Sequence, residues 1–167
     1  MFVRRTAKLE PRVLFVGVDA IADNLRDASR RALPNSLFGR LALEDAPGEL
    51  VGLADRLTVL FPWGSLLRAI ADAEPGPLAR LRAICRPGAD VRFVFELACD
   101  PRDLERRYLD AGLALAGTPL PVERARAIPT TWAKKLGFSG RPRSFWEFRG
   151  RRWCARDEAH PSVASRT

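Results

Sequence analysis

The sequence predicts an α/β fold, a doubly wound sheet with helices on both faces, and three observations carry that prediction. Apolar runs of strand length recur along the chain, Val13 to Val18, Leu57 to Phe61 and Val91 to Leu97 among them, as expected of strands buried on both faces. Between them lie stretches of helical periodicity, 20–32 and 66–70 for instance. Breakers such as Leu33-Pro34-Asn35 and Arg86-Pro87-Gly88 separate the two kinds of segment. Regular alternation of this sort makes a layered α/β domain.

Residues 1–8 read as the end of a helix with its basic side exposed, stopped by Pro11. Val13 to Asp19 is a strand closing on an acid, the arrangement in which a carboxylate accepts hydrogen bonds from ribose hydroxyls in nucleotide-binding sheets. The helix at 20–32 places Ile21, Leu25 and Ala28 on one face and Arg26, Arg30 and Arg31 on the other. Ser36 to Leu43 is a third strand, running into Glu44 and Asp45 and weakened by its internal glycine and arginine. After a loop or short helix at 47–55, Leu57 to Phe61 forms the buried strand around which the sheet is organised. Pro62 ends it, because proline cannot donate to a ladder.

Trp63 then stands at the strand's carboxyl end, the edge where ligands bind in open α/β sheets. Gly64 lets the backbone turn. Ser65 reads as the N-cap of a helix that turns Leu66, Leu67 and Ile70 inward and Arg68 outward. Pro75-Gly76-Pro77 marks a break before an amphipathic helix at 78–85, and Val91 to Leu97 is a strand. Pro101 to Ala111 is a helix stopped by Gly112, Leu113 to Leu120 a short strand, and Pro121 to Ile128 a short helix. Arg143 to Arg151 alternates aromatic and charged residues as a final strand.

With 167 residues, 47% hydrophobic and 29% charged, the chain is expected to form one domain over 1–156. Residues 157–167 lack apolar periodicity and are expected to form a disordered tail. There is no apolar span of membrane length and no apolar core of a signal peptide near Met1, so a cytoplasmic protein without membrane contact is expected. Cys85, Cys99 and Cys154 lack metal-ligand spacing and the lone His160 lies in the polar tail, so no metal site is expected. The net charge of +8 is unevenly placed. From Arg124 to Arg156 ten Lys or Arg face only Glu147, leaving the rest of the chain near neutral. Interleaved with Trp132, Phe138, Phe145, Trp146, Phe148 and Trp153, this block suits a nucleic-acid surface on which Arg141, Arg143, Arg149 and Arg151 meet phosphates.

Taken alone, a tryptophan after a strand is more often a plug of the core than a platform for a ligand. The run Phe61-Pro62-Trp63-Gly64-Ser65-Leu66-Leu67-Arg68, preceded by Ala54 to Leu60, resembles the strand-four motif of the aminoglycoside-resistance 16S rRNA (adenine-1408-N1) methyltransferases, which use S-adenosylmethionine. Val16 to Asp19 resembles the family's ribose-binding strand end. The segment from Asn35 to Asp55 resembles its adenine-binding segment, through Ala42, Leu43 and Glu44. Thr131 to Phe138, with Arg141, Arg143, Ser144 and Phe145, resembles its late tryptophan motif.

The resemblance implies a class I, Rossmann-like methyltransferase sheet and S-adenosylmethionine as cofactor. It implies cofactor contacts from Asp19, Ala42, Leu43, Glu44, Leu60, Pro62 and Ser65, and catalytic roles for Trp63 and Trp132, which sandwich a flipped adenine. Thr130 helps to place the loop of the second tryptophan. Arg30, Arg31, Lys134, Lys135, Arg141 and Arg143 are implied contacts to 16S rRNA of the small subunit, made by a monomer. Adenine N1 carries a free lone pair, so methylating it needs alignment rather than a strong base, and aromatic faces can stabilise the cationic product.

Departures from the family pattern set further expectations. Its glycine-rich cofactor motif has no counterpart here and would lie before Met1. The sheet is therefore expected to lack its first strand, between the strands ending at Asp19 and Leu60, the true start to lie upstream, and the chain as given to bind cofactor weakly or not at all. The connection from Arg31 to Asn35 is shorter than the family's basic, RNA-gripping linker, and that from Cys99 to Arg107 is shorter than its linker over the active site. Two alternatives follow: an inactive, truncated RNA-binding remnant, or a methyltransferase acting on another RNA adenine.

Overall fold

Residues 2–97, 100–130, 133 and 143–153 are described in this computed structural model. In chain order the elements are α1 (Phe2–Leu9), β1 (Phe15–Asp19), α2 (Ala22–Ser29), β2 (Ser36–Arg40), β3 (Ala54–Leu60), α3 (Gly64–Ala71) and α4 (Pro75–Ile84). Then come β4 (Cys85–Glu96), α5 (Pro101–Asp110), β5 (Leu113–Leu120), α6 (Val122–Ala127) and β6 (Phe145–Arg152). Two 3-10 turns, Leu43–Asp45 and Gly48–Leu50, lie between β2 and β3.

The strands form two sheets. β1 and β2 pair in parallel as a two-stranded sheet, and the second sheet has the order β3-β4-β6-β5. β3 and β4 are parallel, whereas β6 runs antiparallel to both β4 and β5, inserted between them. The architecture is thus mixed α/β.

The large core fills one face of the four-stranded sheet. Val91, Phe93 and Phe95 on β4, Phe148 on β6, and Leu113 and Leu115 on β5 pack beneath Ile70 of α3, Leu78 and Leu81 of α4, and Leu104 and Tyr108 of α5. On the opposite face Leu60, Val94, Leu120 and Phe145 are covered by Ala125 and Val122 of α6, by Ile128, and by Phe2 of α1. Helices therefore lie on both faces, as an apolar-faced sheet requires.

Helix α1 ties the two sheets together. Phe2 packs against the cluster containing Phe61, at the carboxyl end of β3. At the other end of the helix Glu10 forms a two-pronged ion pair with Arg56, near the start of β3, at 2.9 and 3.2 Å. That hydrogen bond holds the Glu10 carboxyl below its ordinary range and raises the Arg56 guanidinium. The α1 segment thus touches the chain at both ends of β3. Among the described residues no strand pairs with both β1 and β3, and β3 is an edge strand rather than the buried centre.

Four other expectations are corrected. Pro75-Gly76-Pro77 is the first turn of α4, where proline's missing N–H costs nothing, and not a break. Ser65 is not a cap: the N-cap of α3 is Trp63, without a side-chain bond. β2 stops at Arg40, after Gly39, instead of reaching Leu43. β4 begins at Cys85, ahead of the expected Val91, because Ala54 already pairs with Cys85 across an irregular register. Residues 157–167 lie outside the described residues.

Candidate active site

The carboxyl ends of β1, β2 and β3 gather most of the cofactor residues expected from the sequence. Asp19 closes β1. Its Oδ1 accepts the Ile21 N–H at 2.8 Å and its Oδ2 accepts from Asn24 Nδ2 at 3.0 Å, which fixes the carboxylate at the turn into α2. The Asp19 carbonyl accepts the Leu41 N–H at 3.0 Å, bringing the chain after β2 beside the end of β1. Ala42 then caps the 3-10 turn, with Leu43 half-buried against the large core and Glu44 exposed. The Glu44 carbonyl accepts Arg80 Nη1 at 2.7 Å, which anchors this turn to α4.

At the end of β3, Leu60 and Pro62 are half-buried and Ser65 is exposed in the first turn of α3. Trp63 is 55% exposed. The side chain is therefore not a plug of the core. Gly64 has φ +61°, a left-handed turn that glycine adopts without penalty. Two residues before Trp63, Phe61 has φ +48° although it carries a full side chain. Sequence reasoning missed this feature, and for a physical reason: a residue before proline is ordinarily steered to extended backbone.

The late segment approaches the same end of the sheet. Thr130 donates its N–H to the Ile128 carbonyl at 2.7 Å, and its Oγ1 accepts the Ala133 N–H at 3.0 Å. The hydroxyl therefore ties residue 130 to residue 133. Ala133 is buried in the same cluster as Phe61 and Phe145. Trp132, Lys134, Lys135 and Arg141 lie outside the described residues.

The basic residues divide into paired and unpaired sets. Arg30 and Arg31 are exposed at the end of α2. Arg143 Nη1 lies 3.1 Å from Glu96 Oε2, and Arg151 Nε lies 3.4 Å from Asp90 Oδ1. Glu147 binds two guanidinium groups, Arg92 at 2.6 Å and Arg149 at 2.9 Å. Burial pushes its carboxyl up, but the hydrogen bonds and charges of Arg149 and Arg92 outweigh that, leaving it below the ordinary range. Much of the basic block on β6 is thus neutralised within the sheet. Arg124 and Arg126 on α6 are exposed and have no ion-pair partner among the described residues.

Among the described residues no cluster of His, Cys, Asp or Glu could hold a metal, and no helix is long and apolar enough to cross a membrane. Cys85 is fully buried, and burial pushes its thiol up to about 11, so it is chemically quiet. A cleft of about 550 Å³ between α4 and α5, edged by Asp72, Arg82, Arg107 and Asp110, includes none of the candidate site residues.

Comparison with known proteins shows the family and the fold. The family model described as NpmA, 16S rRNA (adenine(1408)-N(1))-methyltransferase, matches residues 1–101. A 16S rRNA (adenine(1408)-N(1))-methyltransferase of Streptoalloteichus tenebrarius is 31% identical over 159 residues, spanning 79% of this chain and 73% of that protein. Its counterpart in Escherichia coli is 26% identical over 170 residues, spanning 84% and 77%. Among solved structures, a mutant of the Catenulisporales acidiphilia 16S rRNA (adenine(1408)-N(1))-methyltransferase with cosubstrate SAM superposes with a TM-score of 0.79 at 26% identity, covering 93% of this chain and 82% of that one. The 16S rRNA methyltransferase KamB superposes with a TM-score of 0.75 at 27% identity, covering 92% and 83%.

Proposed function

Because the chain belongs to the 16S rRNA (adenine(1408)-N(1))-methyltransferase family, we propose that it transfers a methyl group from S-adenosylmethionine to N1 of a decoding-site adenine in 16S rRNA, giving aminoglycoside resistance. The observation that carries this reading is the exposed Trp63 at the carboxyl end of β3, on the edge where Asp19 closes β1. The protein is read as a cytoplasmic monomer, with residues 1–156 forming one domain.

The residues at that edge suit the nucleoside end of the cofactor. Each Asp19 oxygen accepts one bond from the chain and keeps a lone pair for a ribose hydroxyl. Ala42 and Leu43 offer an apolar wall to the adenine, with Glu44 at its rim, and Leu60, Pro62 and Ser65 bound the other side. When bound, S-adenosylmethionine supplies the electrophilic methyl group.

The chain's own residues have three tasks. Trp63, with Trp132, holds the flipped adenine flat, each stack contributing about 1–3 kcal/mol. Their π faces also stabilise the positive charge that the ring acquires on methylation. Thr130, whose hydroxyl accepts the Ala133 N–H, helps to place the segment of the second tryptophan. Because the N1 lone pair bears no proton, no side chain has to act as a base before attack, and holding the ring in line with the methyl group is the main task. Arg30, Arg31, Lys134, Lys135, Arg141 and Arg143 meet the phosphates of the rRNA.

The unjoined edges of β1 and β3 favour a second reading, a protein that grips rRNA without transferring methyl. Incubating the chain with small ribosomal subunits and methyl-labelled S-adenosylmethionine separates the two. Label in 16S rRNA with a reverse-transcription stop at one adenine supports the enzyme, and salt-sensitive RNA binding without label supports the second reading. Label at an adenine outside the decoding site points to a methyltransferase of different target.

A further inference from the structure

Phe61 combines two features that rarely occur together. Its φ of +48° lies in the left-handed region, where a side chain clashes with its own backbone, and it precedes proline, which disfavours departures from extended backbone. Such a conformation persists only where the surroundings over-determine it. Here they do. The ring is 6% exposed and meets Phe145 edge to face, with centroids 5.8 Å apart and planes at 89°. The Phe61 N–H donates to the Val94 carbonyl at 2.7 Å, extending the β3–β4 ladder one step beyond Leu60 before the chain leaves the strand.

We propose that Phe61 is a positioning residue: its ring, locked in the second core, holds a strained left-handed backbone that aims Trp63 out of the sheet and over the crevice. An extended residue at 61 would carry the chain on along β4 instead. The same cluster contains Ala133, so the anchor of the Trp63 segment also anchors the turn closed by Thr130. The spacing of the two segments is then set by one packed cluster. This inference rests on the stacking role given to Trp63.

The test compares Phe61→Ala, which keeps the clash and loses the ring, with Phe61→Gly, which loses both. At an ordinary strand end alanine is at least as stable as glycine, whereas at a left-handed position glycine melts higher. The expected result is a higher melting temperature for Phe61→Gly, and the reverse order overturns the strained backbone. A 5-fluorotryptophan label, with the Trp63 resonance assigned by its loss in Trp63→Phe, reads the aim. In both variants the Trp63 fluorine signal should move or broaden while those of Trp146 and Trp153 stay in place. A Trp63 signal unchanged from the parent overturns the positioning role, and where neither variant folds, the same criterion applies to Phe61→Leu.

With small subunits as substrate, kcat should fall on the order of 10–100-fold while KM for S-adenosylmethionine changes little. An unchanged kcat in the folded variants overturns the proposal. If Trp63→Ala itself leaves transfer intact, the stacking role fails, while the fluorine signal still decides the role of Phe61.

Discussion

Asp19 has two partners within its own turn, so the effect of mutating it depends on what replaces it. Asp19→Asn can still accept the Ile21 N–H, but its amide NH2 gives up the exposed bond from Asn24 and the residue loses the charge that strengthens hydrogen bonds to ribose. Relative to the parent chain, calorimetry should show S-adenosylmethionine affinity falling by about 1.5–3 kcal/mol with little change in melting temperature. Undiminished affinity would remove Asp19 from the cofactor site. Glu147 provides a test of stability. Its folded pKa lies below the ordinary 4.5, so its contribution is fully present above about that pH and is lost as pH falls through the folded value. The difference in urea unfolding free energy between the parent and Glu147→Gln should be flat from about pH 7 to pH 5 and shrink on further acidification. A difference that grew in acid would contradict the pairing with Arg92 and Arg149.

Several elements were legible in the sequence because burial imposes a period. Leu113 to Leu120 is the strand read from the pattern, and Pro101 opens the expected helix behind the Asp100 cap. Asp19 and Trp63 were placed at strand ends by the same logic, whereas residues 42 and 43 read as the end of a strand and lie instead at a 3-10 turn. What remained hidden depends on contacts between distant segments. No local pattern reveals that β6 slips between β4 and β5, or that Phe145 pins Phe61 in a left-handed turn. Nor does charge counting reveal pairing, since Arg149 and Arg151 read as phosphate ligands although Glu147 and Asp90 hold them. Reversing Arg124 and Arg126 should therefore lower the slope of log RNA affinity against log salt by about 1–2, more than reversing Arg149 and Arg151 does. Equal slopes for the two pairs would put the RNA contact elsewhere. Within the helices, Tyr108 donates to the Ile70 carbonyl at 2.8 Å from the core, joining α5 to α3. Burial raises its phenol far above the ordinary value, so it stays a neutral donor. Tyr108→Phe should destabilise the protein by about 1–3 kcal/mol by leaving that carbonyl without the bond, measurable by urea unfolding.

Across the whole molecule the two sheets are unequal. β4 and β6 are deeply buried, while β1 leaves Val16 56% and Val18 54% exposed. Few buried contacts and solvent-facing edges mark a region that opens first. Hydrogen exchange should release the β1–β2 amides well before those of β4 and β6, and uniform protection would contradict the division into two sheets. The two edges also flank the proposed cofactor site, so the order of this small sheet and grip on the cofactor should rise together on titration with S-adenosylmethionine. The most direct test of the account is methyl transfer to small ribosomal subunits by the parent chain and by Trp63→Ala, with melting recorded on the same samples. The account predicts label at one adenine N1 from the parent, loss of label in the variant, and a nearly unchanged melting temperature, since the ring is 55% exposed. A fall of about 3–5 kcal/mol in stability with transfer persisting in the folded fraction would return Trp63 to the hydrophobic core and contradict it.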